Sequence, residues 1–254
     1  MNILVFDIET IPDVEAGRKI YGLEDLNDAD AAEAMFLARR EKNGTNFLPT
    51  HLQKVAAISV VLRTADKVNV WSLGELASDE RDIIQRFYDG VERYTPTLVS
   101  WNGSGFDLPV LHYRALANKI SAPRYWDNGC DDNTFKWNNY LSRFHERHTD
   151  LMDVLAAYQA RANAPLDEVA TMLGFPGKMG MSGAKVWDNY QAGDLAGIRD
   201  YCETDVLNTY LVYLRFQLMR GRIGETQLQE EEQLLRDYLA NENKPHFNEF
   251  IESW

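Results

Sequence analysis

The sequence predicts an α/β fold built as one domain, and three observations support that reading. Short apolar runs suited to strands gather near the N-terminus, strand-like and helix-like segments alternate from Asp79 onward, and 254 residues suffice to enclose a substantial core. The chain is 45% hydrophobic and 26% charged, ordinary proportions for a globular protein.

The first run, Ile3 to Thr10, is followed by Val55 to Leu62 and Lys67 to Trp71, the last two separated by a turn at Thr64, Ala65 and Asp66. These read as adjacent strands. Asp13 to Asn46 interrupts them as an acidic, alanine-rich insertion whose middle, Ala29 to Lys42, has helical periodicity. Asp79 to Arg93 then reads as an amphipathic helix and Thr97 to Trp101 as a buried strand. Asp107 to Asn118 reads as a helix entered through the Asn102 to Gly105 loop. Ser121 to Arg147 is aromatic and polar without a period and reads as a loop excursion carrying Trp126, Phe135, Trp137 and Tyr140, for which packing is the favoured role over base stacking. Helices are expected at Leu151 to Arg161 and Pro165 to Leu173, then a glycine-punctuated stretch from Gly174 to Gly183. A long helix follows at Asp194 to Met219, and a last acidic one at Thr226 to Asn241. No internal repeat or linker divides the chain, so residues 222–254 read as a helical C-terminal appendage of the domain formed by 1–221.

The net charge of −13 argues against sequence-independent wrapping of duplex nucleic acid, whose affinity comes largely from lysine and arginine. A site that concentrates carboxylates can still take a polyanion if divalent metals reverse its local sign. Cys130 and Cys202 form no close metal-type pair and are too few for a disulfide framework. With no secretory signal and no membrane-length apolar window, a cytoplasmic location is expected.

Three acidic sets stand out. In Ile3-Leu-Val-Phe-Asp-Ile-Glu-Thr10 the strand period puts Asp7 and Glu9 on one face, ~7 Å apart at the strand's C-terminal end. Two same-face acids in an otherwise apolar strand call for a compensating cation, unless they sit at a solvated strand end. Asp107, in Asn102-Gly-Ser-Gly-Phe-Asp-Leu-Pro109, lies at a strand-to-helix junction where functional groups collect, although Asp at a helix start also fits simple capping. Tyr201 and Asp205 are four apart and share one helix face, which adjoins the apolar stripe of Val206, Leu207 and Tyr210; a solvated tyrosine and acid is the plainer alternative.

Taken in order, Phe6-Asp-Ile-Glu-Thr10, Asn102 with Phe106-Asp107, and Tyr201-Cys-Glu-Thr-Asp205 resemble the three exonuclease motifs of the DEDD superfamily in its tyrosine subclass. More closely, the chain is similar to the predicted exonucleases related to the proofreading domain of family B DNA polymerases. The likeness continues through His148-Thr-Asp-Leu-Met-Asp153 and Leu173-Gly-Phe-Pro-Gly-Lys-Met-Gly180, and spans residues 1 to 220. No histidine precedes Asp205 closely enough to replace Tyr201.

The resemblance implies a ribonuclease H-like fold, a mixed sheet whose first three strands are antiparallel, flanked by helices. It implies a 3′→5′ exonuclease acting on single-stranded DNA or RNA 3′ ends with two ions, Mg²⁺ or Mn²⁺, held by Asp7, Glu9, Asp107 and Asp205. Tyr201 would orient the attacking water. Thr10, Asn102 and Phe106 would contact the substrate strand. Apart from the resemblance, Lys178 and Lys185 flank a glycine-containing stretch that could close on phosphate, with plain solvation of surface lysines as the commoner alternative. A catalytically silent nucleic-acid-binding protein, or an internally cutting ribonuclease of the same fold, are the alternatives.

Overall fold

The structure, a computed structural model, describes residues 2–254. In chain order it comprises β1 (Ile3–Pro12), α1 (Val14–Tyr21), α2 (Asp28–Asn43), β2 (Gln53–Arg63), β3 (Val68–Ser72), α3 (Glu80–Tyr94), β4 (Thr97–Ser100) and α4 (Asp107–Ala117). These are followed by α5 (Pro123–Trp126), β5 (His148–Asp150), α6 (Leu151–Leu155), α7 (Leu166–Met172), α8 (Val186–Gln191), α9 (Leu195–Met219), α10 (Glu225–Glu242) and α11 (Pro245–Ser253).

The strands form one sheet in the order β3-β2-β1-β4-β5. The first three run antiparallel, whereas β1 pairs parallel with β4 and β4 with β5. The fold is a mixed ribonuclease H-like sheet flanked by helices, as the resemblance implies.

Central β1 is apolar on both faces because both are covered. Leu4, Phe6 and Ile8 pack with Ile84, Phe87 and Val91 of α3 and with Val110 and Leu111 of α4. Val5, on the opposite face, joins Val206, Leu207, Tyr210 and Leu211 of α9. The odd-numbered side chains of β1, Asp7 and Glu9 included, therefore look toward α9. The last two helices close that second core with Leu235, Leu239, Phe247 and Phe250, each fully buried. Each such side chain stabilises by about 1.5–3 kcal/mol.

The insertion folds as α1 and α2. Asn27 caps α2 by accepting from the Asp30 N–H at 2.9 Å, and Gly44, at φ 74°, ends it in the left-handed conformation. Arg114 of α4 ties the insertion to the core through Asp13 and, at 2.7 Å, Glu80.

Two regions differ from expectation. The helix expected over Leu151 to Arg161 ends at Leu155, because Ala157 and Tyr158 both adopt positive φ, at 50° and 60°. Just before it, His148–Asp150, between the expected loop excursion and the expected helix and given no element there, forms the short edge strand β5. Helices α8 and α11 had no counterpart in the sequence reading. Among the described residues no helix is long and apolar enough to cross a membrane.

Candidate active site

The acidic sets, far apart in sequence, meet where β1 leaves the core. Asp7 is half-buried and Glu9 buried on the α9-facing side of the strand. Immediately after Glu9 the β1–β2 register shifts: Glu9 pairs with Ala57 but Thr10 with Val55. Such a bulge bends the ladder and re-aims the strand end.

Asp107 is the first residue of α4, yet it does not cap it. Its Oδ1 accepts the Ile8 N–H at 3.2 Å, so the buried carboxylate reaches across to β1 beside Asp7 and Glu9. That resolves the capping alternative in favour of a cross-element role. The loop before it is held by Asp150 of β5, which accepts the Asn102 N–H at 2.9 Å and the Ser104 N–H at 2.8 Å. Asn102 sits there at φ 63°, a conformation asparagine tolerates better than most residues.

Asp205 and Tyr201 lie one turn apart on α9, and the tyrosine hydroxyl donates to the Asp205 carboxylate. Glu203, between them in sequence, points away: it accepts from the Ser72 N–H and Oγ at 2.9 Å and meets Lys244 Nζ at 3.1 Å and His246 Nε2 at 2.8 Å. The helix that carries the site is thereby clamped between β3 and α11.

Burial first, and then the neighbouring acids, hold the Asp7 and Glu9 carboxyls well above the usual carboxylate range. Burial likewise raises Asp107 to about 7 and Asp205 to about 6, the latter opposed by the Tyr201 hydrogen bond and the field of Lys178. Burial followed by the field of Asp205 pushes the Tyr201 hydroxyl up, so it stays a proton donor at neutral pH. Among the described residues no lysine or arginine forms a salt bridge with any of the four acids. Clustered carboxylates without a counter-charge are costly unless a cation joins them, and an all-oxygen donor set suits a hard divalent ion. One soft group lies beneath: the buried Cys202 thiol points at Asp7 Oδ2 from 3.4 Å, and ligand atoms of Asp7, Glu9 and Cys202 all lie within 4.8 Å.

The four residues expected to contact substrate are distributed unevenly. Thr10, whose hydroxyl donates to Gln53 Oε1 at 3.0 Å, and Phe106 line a cavity of about 510 Å³ that also includes Glu9. Asn102 lines a different cavity, of about 590 Å³, with Trp126 and Arg143. Lys185 ends a short 3₁₀ turn and is exposed, whereas Gly183 and Ala184 of that turn line the first cavity. Tyr140 and Phe135 are core, but Trp126 and Trp137 are half or more exposed. Sequence reasoning passed over Asp150, Cys202 and Gln53. Only Asp150 left a signal, inside His148-Thr-Asp-Leu-Met-Asp153.

Sheet order, flanking helices and an acid cluster at the end of the central strand define a ribonuclease H-like protein. Residues 45–254 match the family model described as predicted 3′-5′ exonuclease related to the exonuclease domain of PolB, and the chain belongs to that family. The matched span contains Asn102, Phe106, Asp107, Tyr201 and Asp205 and begins after Asp7, Glu9 and Thr10. The fold is similar to that of the family B DNA polymerase from the hyperthermophilic archaeon Pyrobaculum calidifontis, with a TM-score of 0.51 and 19% identity over 86% of this chain. The chain corresponds to only 24% of that polymerase. No curated protein matches the chain.

Proposed function

We propose that the protein is a 3′→5′ exonuclease that removes nucleoside 5′-monophosphates one at a time from single-stranded ends, with DNA favoured over RNA, in the cytoplasm. The observation that supports this most strongly is the meeting of Asp7, Glu9, Asp107 and Asp205, with no salt bridge to any of them among the described residues, beside a tyrosine that stays protonated.

Asp7, Glu9, Asp107 and Asp205 would hold two divalent ions, Mg²⁺ or Mn²⁺. When bound, such a pair supplies activation of water and relief of charge on the departing oxygen. Water oxygen bonds to the terminal phosphorus, the bond to the 3′-oxygen of the preceding nucleotide breaks, and that oxygen leaves with a proton. Tyr201 keeps its hydroxyl proton on Asp205, which fixes the ring's position, and its hydroxyl oxygen accepts from the attacking water and so orients it. Thr10 and Phe106 border the last nucleotide, while Asn102 supports the strand upstream and Lys185 offers charge to phosphate. Asp150 holds the Asn102 loop, and through it the start of the helix bearing Asp107.

Digestion of 5′-labelled single-stranded DNA and RNA with Mg²⁺ or Mn²⁺ tests this. A ladder shortening by one nucleotide, absent for Asp7→Ala and for Asp205→Ala, is the expected result. Internal cuts, or full activity in both variants, would defeat the proposal.

A further inference from the structure

We infer that Cys202, at the floor of the acid cluster, completes with Asp7 and Glu9 a site for a thiophilic divalent cation, Zn²⁺ above all, whose capture silences the enzyme. The silencing, though not the binding, rests on the exonuclease reading. One carboxylate oxygen from each acid and the cysteine sulfur all lie within 4.8 Å of one another.

The thiol is fully buried on α9, between Tyr201 and Glu203 in sequence. A buried free cysteine ordinarily behaves as a small hydrophobe. This one faces oxygen instead. Its sulfur lies 3.4 Å from Asp7 Oδ2 and 3.5 Å from the Asp7 carbonyl oxygen, and it shares a hydrogen bond with the Ser59 hydroxyl, itself held by Ser72 Oγ at 2.9 Å. Glu9 is a second and independent pointer to a cation. It is only 8% exposed, yet among the described residues its carboxylate accepts no hydrogen bond and joins no salt bridge. A carboxylate so enclosed is costly without a partner.

The geometry selects the ion. Zinc bonds of about 2.3 Å to sulfur and about 2.0 Å to a carboxylate oxygen, meeting at a tetrahedral angle, set those two atoms about 3.5 Å apart. Asp7 Oδ2 and Cys202 Sγ, at 3.4 Å, already stand at that separation. Three protein donors leave a fourth position for water, as in open zinc sites. Mg²⁺ takes oxygen donors and gains little from a thiol, whereas Zn²⁺ and Cd²⁺ gain much. On binding, a sulfur–metal bond replaces the S–H bond, the proton passes to solvent, and nothing is oxidised or reduced. An ion drawn down onto the sulfur takes the oxygens of Asp7 and Glu9 that the Mg²⁺ or Mn²⁺ pair requires, so the two loadings exclude each other.

The test uses the full chain carrying Cys130→Ser, a change at an exposed position that leaves Cys202 as the sole thiol. Cd²⁺, a spectroscopic stand-in for zinc, should raise an ultraviolet sulfur-to-cadmium charge-transfer band that saturates at one equivalent. Zn²⁺ should erase the band, and Mg²⁺ alone should produce none. Adding Cys202→Ser should abolish it, with a thermal melt confirming the fold, and Asp7→Asn or Glu9→Gln should weaken cadmium binding at least ~10-fold. In Mg²⁺ digestion of single-stranded DNA, each protein is referred to its own zinc-free rate. Cys202→Ser should there raise the half-inhibiting Zn²⁺ concentration by a similar factor. No band in a folded Cys130→Ser chain, or a band indifferent to both carboxylate changes, overturns the site; if that chain still shortens DNA one nucleotide at a time, the exonuclease reading stands. Equal zinc sensitivity with and without the Cys202 thiol overturns the silencing. The full set of cadmium results with no product under Mg²⁺ or Mn²⁺ supports the thiol site and defeats the exonuclease reading.

Discussion

Tyr201 and Asp205 owe their partnership to a spacing of four on a helix, which is why the sequence alone shows them as a pair. Replacing Tyr201 by Phe deletes only the hydroxyl that donates to Asp205. Turnover should fall on the order of 10²-fold, while the rise in melting temperature on adding Mn²⁺ should persist. Loss of that rise as well would make the tyrosine part of the metal site or of the fold. Asp150 shows the opposite case. In sequence it is one more acid ahead of a helix, and its Oδ1 does accept the Asp153 N–H at 3.4 Å, as a cap would. Only the folded chain brings the Asn102 and Ser104 amides onto the same carboxylate. Asp150→Ala leaves both donors without their charged acceptor, at a cost of roughly 2–4 kcal/mol. A lower melting temperature and a higher KM should follow, partly restored by Asp150→Asn. An unchanged KM would show that the loop stands without it. Cys202 was equally hidden, since a cysteine inside an apolar helix stripe looks like packing, and its approach to Asp7 depends on how α9 crosses β1.

At the scale of elements, length decided what could be read. Strands β1 to β3 and helices α2, α3 and α9 repeat their periods long enough to be recognised. β5 has three residues and α8 six, too few for a period, and the end of α6 is set by two backbone conformations that the side chains of Ala157 and Tyr158 do not advertise. α11 is defined by what it docks against: Phe247 and Phe250 enter the core, while Lys244 and His246 reach Glu203 on the helix that carries Tyr201 and Asp205. Glu203→Gln removes the charge at the centre of that clamp and should cost roughly 2–3 kcal/mol of stability. If α11 also steadies the site, kcat should fall with it. A drop in melting temperature with kcat untouched would confine the clamp to folding.

Over the whole molecule, net charge and site charge work together. An excess of 13 negative charges leaves little to attract a polyanion, and the four clustered carboxylates deepen that deficit locally. Their pH dependence has a definite sign. Unfolded carboxylates release protons near about 4, but in the fold Asp205 holds its proton to about 6 and Asp107 to about 7, with Asp7 and Glu9 displaced upward too. The folded metal-free chain thus binds more protons than the unfolded chain between those limits. The stability that Asp205 and Asp107 contribute is complete below their unfolded values and is lost as pH rises through 6 to 7. Burial acts oppositely on His112 and His148, both lowered to about 4, whose contribution is complete above about 6.5 and fades on acidification. The clean measurement is therefore the shift in melting temperature caused by Mn²⁺ or Mg²⁺. At ~100-fold excess over the dissociation constant it should be roughly 5–10 °C at pH 8 and smaller at pH 5.5, where protons compete for the same oxygens. An equal shift at both pH values would mean that the ion binds elsewhere. The path of the central strand has a further consequence. β1 holds the first two acids, and Asp205 lies far along the chain from them, on α9. The acid cluster is therefore complete only when β1, α4 and α9 are all in place, and a chain cut before α9 would hold Asp7, Glu9 and Asp107 without Asp205.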